Sequence, residues 1–395
     1  MQYRIDKKSG KELSVLGFGC MRFARGISGK IDLQKAEKLI VSAIESGVNY
    51  FDTAYIYSGS EEIVGEILHK NKLREKIFLA TKLPFSKCKV YEDFERLFQE
   101  QLSRLQTDYI DYYLIHNLPT TALWQGLCTL GIEKWIAEKK ASGQIKNIGY
   151  SFHGAQDQFL ALLDLYDWDF CQIQYNYMNE HYQAGTAGLL AANKKGLPVI
   201  IMEPLLGGKL ATGLPKKAEQ KFRETDGKYS NAAWGFRWLW NQPQVSVVLS
   251  GMNSEEQLLD NVKVAQEAVP DMLVPQELAA YERVQEIFRE AYKIPCTGCN
   301  YCMPCPKGVN IPASFAAYNA SYANDFVTGM MQYMTSTAIN HKNHNSSGHN
   351  CIKCGACEQK CPQHIPIIAS LEKVTKRMEP FWVRGIIAIA NKVMR

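Results

Sequence analysis

Eight short apolar runs, each followed by a segment of helical length, constrain this 395-residue chain more than any other feature. The runs fall at residues 15–19, 48–52, 77–81, 109–115, 145–150, 170–174, 198–202 and 246–249. They are almost continuously apolar and β-rich, as strands of a parallel sheet are when both of its faces are buried. Helical patterns lie between them, at 33–46, 61–70, 91–105, 123–142 and 254–268. Eight strand-plus-helix repeats are the count of a (β/α)8 TIM barrel, an α/β fold, here spanning residues 1–275. Residues 1–13 precede the first repeat and read as a hairpin.

Beyond the barrel a helix over 276–292 leads into a different kind of sequence. Eight of the twelve cysteines lie there in two runs. Cys296, Cys299, Cys302 and Cys305 form C-x2-C-x2-C-x2-C before Pro306. Cys351, Cys354, Cys357 and Cys361 form C-x2-C-x2-C-x3-C before Pro362. The second run is the iron–sulfur run of two-cluster ferredoxins, in which the fourth cysteine of each run ligates the other cluster. Eight soft thiolates suit two [4Fe–4S] clusters. Two zinc sites are the competing reading, but zinc pairs are usually separated by a longer loop. Residues 276–370 therefore read as a mainly helical ferredoxin-like domain, with a helix over 314–334. His341, His344 and His349 sit among Asn, Ser and Gly, the composition of a solvated loop. Residues 371–395 read as a basic amphipathic tail that docks rather than binds a membrane surface. Cys20, Cys88, Cys128 and Cys171 are scattered singly and read as buried small side chains.

Composition narrows the partners. A net charge of +5, spread along the chain, argues against nucleic acid. The opening residues lack the apolar core of a signal peptide, and no run of eighteen apolar residues occurs. A reducing cytoplasm is the expected compartment, which disfavours disulfides.

Barrels of this kind carry their active sites at the C-terminal ends of the strands. Asp52 ends the second run, with Tyr57 five residues on; Lys82 ends the third and His116 follows the fourth. These four suit carbonyl reduction. A phenol is a weak acid at neutral pH, and a lysine cation held by a carboxylate is expected to lower its pKa. A histidine beside the phenol polarises the substrate oxygen while Tyr57 donates the proton.

These residues resemble the aldo-keto reductases over residues 1–270, through LGFGCMRF, FDTAYIYSGSEEIVGEIL, ATKLP, DYYLIHN and GQIKNIGYS. The resemblance implies a (β/α)8 barrel, a catalytic tetrad of Asp52, Tyr57, Lys82 and His116, and NADPH or NADH as cofactor. It implies that Ser151 and Gln172 hold the nicotinamide carboxamide, and that Met202 stands where an aromatic residue commonly stacks on the ring. The adenosine half falls on 248–262, with Ser250, Gly251 and Asn261 among its contacts. The combination with two cysteine runs is similar to a subgroup of these reductases that carries a C-terminal ferredoxin-like 4Fe–4S domain.

Three positions depart from the common pattern. Phe152 replaces a carboxamide-binding Asn, and Gly251 and Gln257 replace the Lys and Arg that hold a 2′-phosphate. Losing two cations weakens a charge-paired NADP site. Nicotinamides deliver electron pairs whereas iron–sulfur clusters pass single electrons, and a flavin is the usual adapter between them. No G-x-G-x-x-G follows a strand. The glycines at 207–208 and 251 are the candidates for flavin phosphates, although tight turns explain them as well. Three functions remain: a nicotinamide-dependent carbonyl reductase carrying two clusters, a reductase fed by a ferredoxin-like donor through a flavin or other acceptor, and a non-catalytic redox sensor or electron-transfer subunit. Tyr55, Trp124, Tyr175, Tyr177 and Tyr182 suggest an apolar, aromatic pocket for a small carbonyl substrate, or ordinary packing.

Overall fold

The computed structural model describes residues 1–26, 29–323, 325–338, 346–381 and 383. His341, His344 and the tail from 384 onward lie outside the described residues. By contact the chain divides into two compact units. One comprises Met1–Pro204 and Ala232–Leu273; the other comprises Leu205–Asn231 and the chain from Val274 on.

The first unit opens with an antiparallel hairpin, β1 (Tyr3–Ile5) and β2 (Glu12–Ser14). Eight strands then close a parallel barrel: β3 (Leu16–Gly19), β4 (Tyr50–Asp52), β5 (Phe78–Leu83), β6 (Ile110–Ile115), β7 (Ile145–Phe152), β8 (Phe170–Gln174), β9 (Val199–Met202) and β10 (Val245–Ser250). Neighbours pair in chain order, and β10 closes on β3 through Val248–Leu16. The apolar runs are strands because every one of them is buried from both sides. Tyr50, Ala80, Tyr112, Phe170, Ile200 and Val247 fill the interior. Leu13 of the hairpin joins them, and Tyr112 donates a hydrogen bond to Asp6 at 2.7 Å, so the hairpin fastens to the interior of the barrel.

Around the strands run α1 (Leu33–Glu45), α2 (Ser60–Lys70), α3 (Glu92–Leu105), α4 (Thr121–Thr129), α5 (Ile132–Ala141), α6 (Gln156–Leu165) and α7 (Gly185–Lys194). The stripe Phe94, Leu97, Phe98, Leu102 and Leu105 buries one face of α3, at helical spacing. The single helix expected over 123–142 is two. Gly131, at φ 90°, turns the chain between α4 and α5 in a left-handed conformation that costs other residues more.

The second unit contributes α8 (Lys209–Thr212) and α9 (Lys216–Thr225) before the chain returns to the barrel through α10 (Asn231–Trp240), β10 and α11 (Glu255–Ala265). It then adds α12 (Pro275–Ala291), α13 (Ile311–Ala323), α14 (Phe326–Tyr333) and α15 (Ile367–Met378). The helix expected over 314–334 is also split. Asp325 caps α14 by accepting from Thr328 N at 2.8 Å, a bond that starts a new helix. Val309, Phe315, Ile365, Leu371 and Val374 form the core of this unit, with cysteines of both runs packed against it.

Candidate active site and cysteine hollows

In the barrel unit the geometry begins with a buried ion pair. Asp52 is the last residue of β4 and Lys82 lies near the end of β5, so parallel pairing sets them side by side. Lys82 Nζ donates to Asp52 Oδ1 at 2.6 Å and to the Thr53 carbonyl at 2.8 Å. The lysine is 1% exposed and the aspartate 4%. Gln172 of β8 donates to the other carboxylate oxygen at 2.9 Å, so both oxygens are engaged.

Tyr57 lies on the turn between β4 and α2, which is held by bonds from Tyr57 N to Ala54 O and from Ser60 N to Tyr57 O. Its ring centroid is 5.1 Å from Lys82 Nζ and 6.0 Å from the His116 ring, edge to face. The structure thus brings all four expected side chains together. Their electrostatics differ from expectation. Burial, followed by the Asp52 charge, pushes the Tyr57 phenol well above its ordinary range. The lysine does not acidify it because its charge is already matched by Asp52. Burial, then Lys82 and His153, hold His116 far below the usual imidazole range, so the ring is neutral. Its Nδ1 is buried without a hydrogen-bond partner among the described residues. A protonated phenol therefore stands beside a neutral imidazole.

The expected cofactor contacts are placed as follows. Ser151 Oγ accepts from Asn117 N at 2.8 Å, joining the end of β7 to the loop that carries His116. Met202 is half-buried and packs on the barrel interior. Asn261 donates to Ser250 Oγ at 3.0 Å, so the two residues hold each other. Phe152 packs on Phe159 of α6, with centroids 5.0 Å apart, which makes it a residue of the layer between strand and helix. The aromatic pocket is largely packing. Trp124 lies against Trp168 at 4.7 Å, and Tyr175 bonds Thr186 and Gln242.

Three residues escaped the sequence reading. Gln174, two positions beyond Gln172 on β8, has a buried amide with no partner among the described residues. Its only sequence signal was the two-residue strand period. Glu203 follows β9, and burial pushes its carboxyl up to about 7 against the opposing Arg22 charge. Arg22, from the loop after β3, lies along Gly251: a Cβ there would meet its Cδ at 3.1 Å. Gly251 stands where the resemblance implies a lysine, and an arginine from another loop lies against it.

In the second unit the cysteines border two hollows. Cys305, Cys351, Cys354 and Cys357, with Cys302, line one. Cys296, Cys299, Cys302 and Cys361 line another. Cys302 belongs electrostatically to the second hollow: burial, then Cys296, Cys299 and Cys361, push its thiol up to about 12. The fourth cysteine of each run is thus exchanged between the sets. Among the described residues no three His, Cys, Asp or Glu side chains are gathered as a single metal ion would need. Thiols spread around a hollow suit a cluster instead. Asn319 fixes the approach to Cys296, accepting from Lys293 N and Ile294 N and donating to Ile294 O at 2.7 Å. The glycine segment at 207–208, one candidate for flavin phosphates, groups with this unit, where Gly207 meets the Thr297 carbonyl.

A parallel barrel with a buried acid–lysine pair beside a phenol and an imidazole, in one chain with a thiol-rich unit, defines an oxidoreductase. The Aldo/keto reductase family profile matches residues 15–280, and a 4Fe-4S dicluster domain profile matches residues 295–365. The chain belongs to the aldo/keto reductase family and carries a C-terminal 4Fe–4S dicluster domain. It is 27% identical over 312 residues to the uncharacterized oxidoreductase YrpG of Bacillus subtilis, covering 67% of this chain and 91% of that protein. It is 25% identical to the aldo-keto reductase YhdN of the same organism, covering 65% and 87%. Among solved structures, the holo form of aldo-keto reductase AKR11C1 from Bacillus halodurans superposes with a TM-score of 0.59 at 25% identity, covering 72% of this chain and 96% of that one. No helix among the described residues is long and apolar enough to cross a membrane.

Proposed function

We propose that the barrel reduces a carbonyl group of a small molecule, with Tyr57 as the proton donor and a nicotinamide dinucleotide as the reductant. The observation that carries this reading is the 2.6 Å Lys82–Asp52 pair beneath the Tyr57 ring. When bound, the nicotinamide supplies a hydride. The chain's own residues do the rest. The phenol keeps its proton at neutral pH because burial disfavours the phenolate. Neutral His116 can donate a ring N–H to the carbonyl oxygen of the substrate, and its Nδ1, unpartnered among the described residues, leaves the tautomer free for that role. As the substrate oxygen gains charge it draws the proton from Tyr57. The phenolate left behind faces a lysine that Asp52 and the Thr53 carbonyl hold in place. Ser151, Gln172 and the orphaned amide of Gln174 suit the carboxamide end of the dinucleotide. Arg22 over Gly251 suits its phosphates, restoring one of the cations missing after β10.

In this reading the sets Cys296, Cys299, Cys302, Cys361 and Cys305, Cys351, Cys354, Cys357 each hold a [4Fe–4S] cluster. Such clusters pass single electrons, which suits exchange with a ferredoxin-like partner. The test combines nucleotide binding with steady-state turnover on a panel of aldehydes and ketones. Tyr57→Phe should cost about 10²–10⁴-fold in kcat, the usual worth of a general acid, and leave nucleotide affinity intact. Arg22→Gln should raise KM for the nucleotide and spare kcat. Full turnover in Tyr57→Phe removes the assigned acid; wild-type protein that binds neither NADH nor NADPH removes the nicotinamide reading.

A further inference from the structure

The segment after β9 is a structural part of the thiol-rich unit, and one of its side chains is a cation without a counter-charge. Gly207, at φ 69°, lies so close to the loop after α12 that a Cβ there would stand 2.1 Å from the Thr297 carbonyl. Two residues on, Lys209 opens α8, with its Nζ 4.9 Å from the centroid of the Tyr292 ring. That ring is pinned twice. It stacks on Phe288 at 4.1 Å, nearly parallel, and its hydroxyl donates to the Gly213 carbonyl at 2.6 Å. Thr297 and Tyr292 flank Cys296 in sequence, so the chain from 207 to 213 is clasped against the start of the first cysteine run. Lys209 is half-buried, and its ammonium has no hydrogen bond or ion pair among the described residues. Burial lowers the pKa of this ammonium, and Cys296 opposes that shift.

A desolvated cation beside neutral thiols is unfavourable, and the same cation beside a thiolate-bound cluster is favourable. We propose that Lys209 is a positioning charge for the cluster held by Cys296, Cys299, Cys302 and Cys361, raising that cluster's reduction potential above the value it would have without the lysine. The cluster with its four thiolates is anionic and gains one further negative charge when it accepts an electron. A fixed ammonium beside Cys296 therefore stabilises the reduced form more than the oxidised one. Cation–π contact with Tyr292 holds the ammonium in place without neutralising it. Nothing in the proposal requires Lys209 to titrate. It acts as a permanent charge, and the other hollow, lined by Cys305, Cys351, Cys354 and Cys357, serves as an internal reference.

The experiment is an anaerobic redox titration of the cluster-replete full chain with dithionite, followed by electron paramagnetic resonance, with iron and sulfide content measured on every sample. Lys209→Met should lower one of the two midpoints by the equivalent of about tenfold in the reduction equilibrium, about 59 mV for one electron. The other midpoint should stay in place, and Lys209→Arg should remain near wild type. If Lys209→Met proves iron-poor, the Lys209→Gln and Lys209→Arg pair decides in the same titration. A shift in Gln alone supports the proposal. Two unmoved midpoints, or two midpoints moving together, overturn it and leave Lys209 as a packing partner of Tyr292.

Discussion

The two units build their polar centres from different materials. In the barrel unit the polar groups hang from strand ends and are oriented by other parts of the barrel: Lys82 by Asp52 of the adjacent strand, Asp52 by Gln172 from β8, Ser151 by the loop after β6. Its ion pair is satisfied in protein atoms alone, since two opposite charges bury each other. In the other unit the cysteines sit on irregular segments between α12 and α13 and before α15, where they line two hollows. Part of its core is the cysteines themselves, packed on Phe315, Leu371 and their neighbours. A site made of hydrogen-bonded partners pre-exists its ligand, whereas a site made of thiols around a space depends on what fills it.

That contrast can be broken from either side. The largest effect is expected at the ion pair. Asp52→Asn keeps the shape but leaves the Lys82 ammonium buried with no anion, which costs about 3–5 kcal/mol. Denaturant unfolding followed by barrel tryptophans should report that loss while iron content stays at the wild-type level. A variant as stable as wild type would mean that the pair is not the keystone of the barrel site. The reciprocal change is Gly207→Ala. Its methyl must displace the Thr297 carbonyl beside Cys296, so iron and sulfide content should fall by half or more. Gly208→Ala is the control: it meets nothing within 4 Å, and only its φ of 98° is strained, at about 1–2 kcal/mol. Equal iron content in the two variants would show that the 207–297 contact is dispensable.

The smallest effect sharpens the electrostatics. Because the folded pKa of His116 lies below its unfolded value near ~6.5, the unfolded chain binds more protons there. Its contribution to barrel stability falls as pH drops through and below that value, with a slope of up to about 1.4 kcal/mol per pH unit. Glu203, pushed up to about 7, works in the opposite sense, since its protonated form favours the fold as pH falls from there toward ~4.3. Comparing His116→Gln with wild type cancels the Glu203 contribution. The variant should lose the acid-side slope between pH 6.5 and 5.5, and an unchanged slope would mean that the imidazole is charged in the folded barrel.

Much of this was legible in the chain itself. The apolar runs located all eight barrel strands, since burial on both faces favours apolar residues along most of each run, and strand ends then named Asp52, Lys82 and His116. Cysteine spacing is equally local, because three thiols at x2 intervals already wrap one corner of a cluster. Gly131 and Asp325 fall inside the helical patterns at 123–142 and 314–334, yet each ends a helix or starts one. A left-handed glycine and a side-chain cap each turn on a single residue within a long helical pattern.

What the tertiary structure decided is long-range. Sequence placed Lys82 near Tyr57 and so expected an acidified phenol, yet packing shows the lysine already matched by Asp52, and burial then dominates. Sequence found a missing lysine at Gly251 but could not find Arg22, more than two hundred residues away, lying across it. It offers the glycines at 207–208 equally as a flavin-phosphate segment or a tight turn, whereas contact joins that stretch to the cysteine unit and sets Gly207 against Thr297 and Lys209 against Tyr292. Periodicity and spacing report on neighbours along the chain, and so they identified the fold and the chemical groups. Charge balance and desolvation depend on neighbours in space, which only the folded chain supplies.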